Sequence, residues 1–302
     1  MKTVAPRQLK AMLHDGDEIA LLDVREAGQF GESHLLFATP LPYSRLELDL
    51  VTLVPRKSAR IVLCDDGETG VAQLAARRLV SYGYSDLSVL DGGNKAWRAA
   101  GYALFKGVNV PSKLFGELVE HEYGTPRITA RDLVRMREAG EDFVLLDGRP
   151  LNEHRKMTIP GSTCCPNAEL PYRVASMVNN PVTKIIVNCA GRTRSILGAQ
   201  TLINFGVPNP VYALENGTQG WYLSNLQLEH GSERKYPDRI DESSLPALKA
   251  RAGKLMERYA IPTATARQVE TWLKAADRTT YLCDVRTPEE FAAGSIPGAA
   301  HA

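Results

Sequence analysis

Little in this chain is extreme, and each shortage closes off a class of function. Its 302 residues hold five cysteines, an odd number that does not suggest a disulfide framework. Neither a Cys-x2-Cys pair nor a His-x3-His spacing occurs, so no metal site is expected and no cofactor is implied. Charge of one sign is not in excess: the formal net charge is +1. Aromatic residues are sparse, and none interleaves Arg127, Arg131 and Arg135, which repeat at helical spacing. Those arginines read as a solvated helix face, and no nucleic-acid partner is expected. No apolar run is long enough to span a bilayer, and the N-terminus lacks the basic-then-apolar layout of a signal peptide. A cytoplasmic protein without a membrane partner is the expectation. Oligomeric state leaves no mark on the sequence.

What is present centres on Cys189. The run Cys189-Ala190-Gly191-Arg192-Thr193-Arg194-Ser195 joins two apolar segments. Lys184 to Asn188 is short and β-branched, as a buried parallel strand is; Ser195 to Ile203 repeats its apolar residues at helical spacing and stops near Gly206. A cysteine on a strand-to-helix loop faces backbone N–H groups and the positive end of a helix dipole, which favour thiolate over thiol. Two arginines lie in the loop itself. A buried structural cysteine is one reading, although a core residue needs no flanking guanidinium groups. A cysteine phosphatase loop, Cys-x5-Arg, is a second, but Arg194 arrives one residue too early. A nucleophile that carries sulfur is a third.

The chain also repeats itself. Ala20-Leu21-Leu22-Asp23-Val24-Arg25, Val144-Leu145-Leu146-Asp147-Gly148-Arg149 and Tyr281-Leu282-Cys283-Asp284-Val285-Arg286 are three versions of one strand ending in Asp-x-Arg. Asp23 precedes Cys64 by 41 residues and Asp147 precedes Cys189 by 42. Asp91-Gly92-Gly93 with Trp97 matches Glu215-Asn216-Gly217 with Trp221. Repeats longer than a hundred residues, each with its own strands and helices, are duplicated domains rather than a solenoid. The Asp/Arg pairs are expected to brace a strand end, and the tryptophans to pack a helix on the sheet. Alternating strands and helices give an α/β class with helices on both faces of each parallel sheet.

Taken together these landmarks resemble the rhodanese family, in particular bacterial proteins with several tandem rhodanese domains. The third copy has the family's Pro-Gly loop as Glu290-Phe291-Ala292-Ala293-Gly294-Ser295-Ile296-Pro297-Gly298-Ala299, and the second keeps Ile159-Pro160-Gly161-Ser162. The resemblance implies tandem rhodanese-like domains: 1–107 with an acidic loop, 125–229 catalytic, 233–261 an extended linker, and 262–302 the opening part of a third. That last piece must pack on the second domain or be incomplete. The resemblance also implies a sulfurtransferase that moves a sulfane sulfur from thiosulfate or a similar donor to cyanide or a thiol through a persulfide on Cys189.

In that chemistry Arg192 and Arg194 would bind the donor's sulfonate, and the N–H groups of Gly191 through Ser195, Thr193 included, would hold the terminal sulfur. Ser195 would add a hydrogen bond or cap the helix, and Arg173 would reach the pocket rim. Cys64, in the loop Cys64-Asp65-Asp66-Gly67-Glu68-Thr69-Gly70, marks a second, degenerate site whose carboxylates repel an anionic donor. Two other classes stay open: a non-catalytic regulatory or binding module of the same fold, and a cysteine phosphatase or arsenate reductase.

Overall fold

A computed structural model of the protein describes residues 1–301. It falls into two compact units, Met1–Val110 with Thr263 onward, and Pro111–Pro262. Five short strands build the first sheet: β1 (Lys2–Val4), β2 (Ala20–Asp23), β3 (Thr39–Pro40), β4 (Ile61–Cys64) and β5 (Leu87–Leu90). The second sheet holds β6 (Arg127–Ile128), β7 (Phe143–Asp147), β8 (Thr163–Cys164), β9 (Lys184–Asn188) and β10 (Val211–Leu214). Strand order is β1-β5-β4-β2-β3 in one and β6-β10-β9-β7-β8 in the other, parallel throughout. The two orders are the same order five strands on, so the repeat read in the sequence is a repeat of topology.

Each sheet is apolar on both faces, which is why its strands read as unbroken apolar runs rather than alternating ones. Side chains alternate between faces. In the first unit Leu22, Ile61, Leu63 and Val89 pack on one face against Leu46, Ala72, Ala75 and Leu79. Leu21, Val62, Cys64 and Leu90 pack on the other against Leu9, Phe30 and Trp97. The second unit divides likewise, with Leu146, Ile185 and Val187 under Ile196, Ala199 and Leu202, and Leu145 and Ile186 against Leu133 and Trp221. Trp97 and Trp221 are buried, their indole N–H groups donating to the carbonyls of Ala103 and Gln227.

The Asp-x-Arg strand ends are braced in all three copies. Arg25 clamps Asp23, Arg149 clamps Asp147 and Arg286 clamps Asp284, each at 2.6 Å. Each arginine also donates to a carbonyl eight residues on, of Ser33, Met157 or Gly294. The third copy carries a two-strand parallel ladder, β11 (Cys283–Asp284) with β12 (Ala300–His301), equivalent to β2 with β3. It belongs to the same compact unit as the first copy, where packing on the second domain or an incomplete piece was the expectation. Glu18 accepts from Thr279 N–H at 2.9 Å, and Tyr281 Oη donates to the Leu53 carbonyl at 2.6 Å. Residues Val110–Tyr123 form one continuous helix. The segment anticipated as an extended linker begins by pairing with the sheet edge, Cys164 N–H donating to Arg234 and Tyr236 N–H to Cys164, before the helix Leu245–Arg258.

Candidate active site

Cys189 follows β9 directly and is 2 % exposed. The helix Thr193–Phe205 starts four residues later and stops at Gly206, whose φ of +76° suits a residue without Cβ. Ser195, fully buried in its first turn, donates from Oγ to Cys189 Sγ at 3.1 Å. Among the described residues no backbone carbonyl or side chain accepts from the N–H groups of Ala190 through Ser195. Those are the donors that a loop feeding a helix N-terminus leaves without intrahelical partners. The loop's carbonyls point elsewhere: Thr218 N–H donates to Cys189 and Gln219 N–H to Ala190, at 2.8 and 3.0 Å. Gly217 makes that approach feasible. At its φ of +48°, a Cβ would lie 2.0 Å from the Cys189 carbonyl oxygen.

The same contacts in the first unit identify the residue that corresponds to Cys189, and it is not Cys64. Gly93, equivalent to Gly217, abuts the Asp65 carbonyl, and Asn94 N–H donates to Asp65 as Thr218 does to Cys189. Strand register agrees: Asp23 pairs with Cys64, whereas Asp147 pairs with Asn188. The one-residue difference between 41 and 42 is therefore a register step. Cys64 corresponds to Asn188, points into the core beside Phe30 and Trp97, and its thiol pKa is pushed well up by burial and then by Asp23. Cys64 is thus a core residue and not a degenerate nucleophile. Asp65 stands in its place. Its carboxylate accepts from Gly67 N–H at 2.8 Å and Ala72 N–H at 3.0 Å, while Asp66 accepts from Glu68 and Thr69. The first loop fills its own cradle with its own anions.

The arginines are placed differently from the sequence expectation as well. Arg194 is clamped by Glu153 through two bonds of 2.8 Å, with Cys189 in the field of its charge. Arg192 turns to the helix Val110–Tyr123, bonding Glu117 at 2.7 Å and Glu120. Thr193 packs on Gly116 of the same helix, where any Cβ would meet its methyl group at 2.7 Å. Arg173 does not reach the rim. It bonds Glu169 at 2.8 Å and the carbonyls of Pro237 and Asp238, stacked between Tyr172 and Tyr236. It ties the segment after Glu233 to the domain instead.

Behind the loop, Asp147 is buried and accepts from Arg149, from Thr158 Oγ1 at 2.8 Å and from His154 Nδ1 at 3.3 Å. Burial opposes its ionisation, but these bonds, Arg149's first, hold its carboxyl far below the usual range. Cys164 and Cys165 are free and buried; burial pushes the Cys164 thiol up to about 12 and raises Cys165 as well. Neither is suited to act as a thiolate.

Two copies of one scaffold, one Cys189 loop and one self-filled loop give the comparison with known proteins a specific meaning. A family model described as Rhodanese-like domain matches residues 5–100 and 129–224. The chain belongs to the rhodanese-like domain family. Each match covers four of the five strands of one sheet, β2–β5 in the first and β7–β10 in the second. A crystal structure of a thiosulfate sulfurtransferase from Pseudomonas aeruginosa is 47 % identical with a TM-score of 0.96, over 100 % of this chain and 57 % of that one. Thiosulfate sulfurtransferase GlpE of Pseudomonas savastanoi pv. phaseolicola is 32 % identical over 98 residues, which are 32 % of this chain and 88 % of that protein. An HTH-type transcriptional regulator of Mycobacterium tuberculosis is 32 % identical over 111 residues, 36 % of this chain and 48 % of the regulator. The chain thus spans about half the length of the regulator and of the P. aeruginosa protein. No helix of the described residues is long and apolar enough to cross a membrane.

Proposed function

We propose that this chain is a sulfurtransferase that moves a sulfane sulfur from thiosulfate, or a similar donor, to a thiol or cyanide through a persulfide on Cys189. The thiolate attacks the outer sulfur of thiosulfate; the donor's S–S bond breaks, and sulfite leaves with the bonding pair. An acceptor then takes the sulfur and returns Cys189 to the thiolate. The N–H groups of Gly191 through Ser195 hold the terminal sulfur, as donors preorganised for a developing anion do. Ser195 Oγ adds a bond at the reacting sulfur, and Arg194 supplies the positive charge for the sulfonate. Arg192 shapes the loop from outside through Glu117 and Glu120.

One observation carries this reading: the loop donors around Cys189 are unengaged, whereas in the first domain's loop the N–H groups of Gly67, Glu68 and Thr69 are taken by the carboxylates of Asp65 and Asp66. The first domain is accordingly silent toward anionic donors. The domain limits 1–107 and 125–229, with 233–261 joining them to the opening part of a third domain, suit this division, since each sheet lies inside one of them. A reducing cytoplasm suits it too, because all five cysteines are free. Intact mass spectrometry after thiosulfate treatment tests the proposal. A gain of one sulfur atom that Cys189→Ser abolishes and Cys64→Ser preserves is expected. Turnover of a phosphoester or arsenate without persulfide formation overturns it.

A further inference from the structure

Beside the Cys189 loop lies a cavity of about 1040 Å³, bounded on the loop side by Ala190 and elsewhere by Met157, Gln219, Tyr222, Leu223 and Leu226. It is at the upper end of the range for ligand pockets. A compact inorganic dianion does not fill it, and although Thr218, Asn225 and His230 also line it, its apolar side chains, Met157, Leu223 and Leu226 among them, offer such an ion nothing. Tyr222 and Leu223 stand at 66 % and 71 % exposure on the short helix that begins at Gly217, so apolar surface is open to solvent within a few residues of the loop. Gln219 is the hinge between the two regions. Its N–H donates to Ala190, and its side-chain oxygen comes within 4.0 Å of where a Cβ on Gly191 would be.

Building on the persulfide reading, we infer that this cavity receives the acceptor, and that the acceptor is a small organic thiol with an extended apolar body. Its sulfur meets the Cys189 loop while its chain lies over Met157, Leu226 and the Tyr222–Leu223 edge. The transfer balances without another reagent. The acceptor thiolate attacks the terminal sulfur of the Cys189 persulfide, a new S–S bond forms on the acceptor, and the old one breaks to release the Cys189 thiolate. Charge selects the donor at the loop and apolar contact selects the acceptor beside it, so one cysteine serves two chemically unlike partners in turn.

Two measurements test this on the full chain. The first needs no sulfur transfer: n-alkyl methanethiosulfonates, methyl to hexyl, label Cys189 by displacing methanesulfinate, and site-mapped mass spectrometry gives each rate. Each methylene laid on the cavity lining should speed Cys189 labelling about two- to four-fold, the water-to-apolar transfer of one CH₂. The exposed Cys283 serves as a control with no such slope. Tyr222→Ser and Leu223→Ser, both at exposed positions, should flatten the Cys189 slope while leaving the Cys283 rates unchanged. The second measurement repeats the series with n-alkyl thiols discharging a preformed persulfide. Failure to form the persulfide, with the labelling slope intact, would sink the sulfurtransferase reading and leave the cavity's preference standing. A flat labelling series at Cys189, or a slope unmoved by both substitutions, overturns the inference and leaves the edge to another kind of acceptor.

Discussion

Replacing Gly217 by alanine perturbs the site at the point where two backbones come closest. The new Cβ falls 2.0 Å from the Cys189 carbonyl oxygen, 2.7 Å from its carbon and 2.9 Å from the Gly191 oxygen. All three are backbone atoms, so no flexible side chain can swing aside. A left-handed conformation costs a non-glycine residue about 1–2 kcal/mol, and overpacking a tight contact costs about 1–3 kcal/mol more. The expected destabilisation of the second domain is about 2–5 kcal/mol, a large part of the 5–15 kcal/mol that holds a typical domain together. To regain ordinary contact the loop must retreat by roughly 1 Å, and a misplacement of that size can cost about a hundred-fold in rate.

Gly93→Ala is the internal control. Its Cβ meets Gly67 N at 2.4 Å and the Asp65 carbonyl oxygen at 2.6 Å, the same collision in the other copy. Hydrogen exchange read by mass spectrometry resolves the two domains, and a thiosulfate-to-cyanide assay reads the chemistry. Both variants should lose protection in the domain they alter. Only Gly217→Ala should lose turnover. Wild-type protection and turnover in Gly217→Ala would refute the close approach, and equal loss of turnover in both would refute the assignment of the active loop.

Two further predictions follow from the charges around the loop. Glu153→Gln should lower the thiosulfate KM by about three- to ten-fold at low salt, because it releases Arg194 from a half-exposed carboxylate; Arg194→Gln should raise it, and Arg192→Gln should do less than either. An unchanged KM in Glu153→Gln would remove Arg194 from donor binding. Asp147 is held ionised far below its unfolded value of about 3.9, so its stabilisation is complete above that pH and is lost as pH falls toward the folded value. Urea midpoints between pH 6 and pH 2.5 should show this loss in the wild type. Asp147→Asn should abolish that part of the slope and cost about 3–5 kcal/mol near neutrality; parallel curves would overturn the argument.

The topology was legible because each copy contributes the same landmarks in the same order, and unbroken apolar strands announce a sheet covered on both faces. Cys189, Ser195 and the loop between them were legible for a local reason: the strand, the loop and the helix that place them are contiguous. Cys64 was misread because a strand alternates its side chains, so a slip of one residue exchanges loop for core. The signal was present in the spacing, 41 against 42, and the Asp65-Asp66 pair lies just where the slip predicts a substitute. The partners of the arginines were not legible. Glu153 and Glu120 lie 41 and 72 residues from the arginines they hold, and only the tertiary fold brings them near. Arg173 was misplaced although its i,i+4 partner Glu169 is visible in the sequence, because the other two groups that hold it, the carbonyls of Pro237 and Asp238, lie 64 and 65 residues away and carry no side-chain signature.

The way each copy satisfies its loop has a consequence for mass action. A ligand that binds only the folded state raises stability with its concentration, by RT ln(1 + [L]/Kd). In the first copy the ligand is tethered: the Asp65 carboxylate is covalently present at the donors it fills, so nothing dissolved in the medium can add to its occupancy. In the second copy no protein group accepts from the donors around Cys189, so under the proposed function they should answer to the anions in solution. Under the proposed function, the two copies should therefore differ within a single chain: one domain's stability indifferent to the sulfur supply, the other's rising and falling with it.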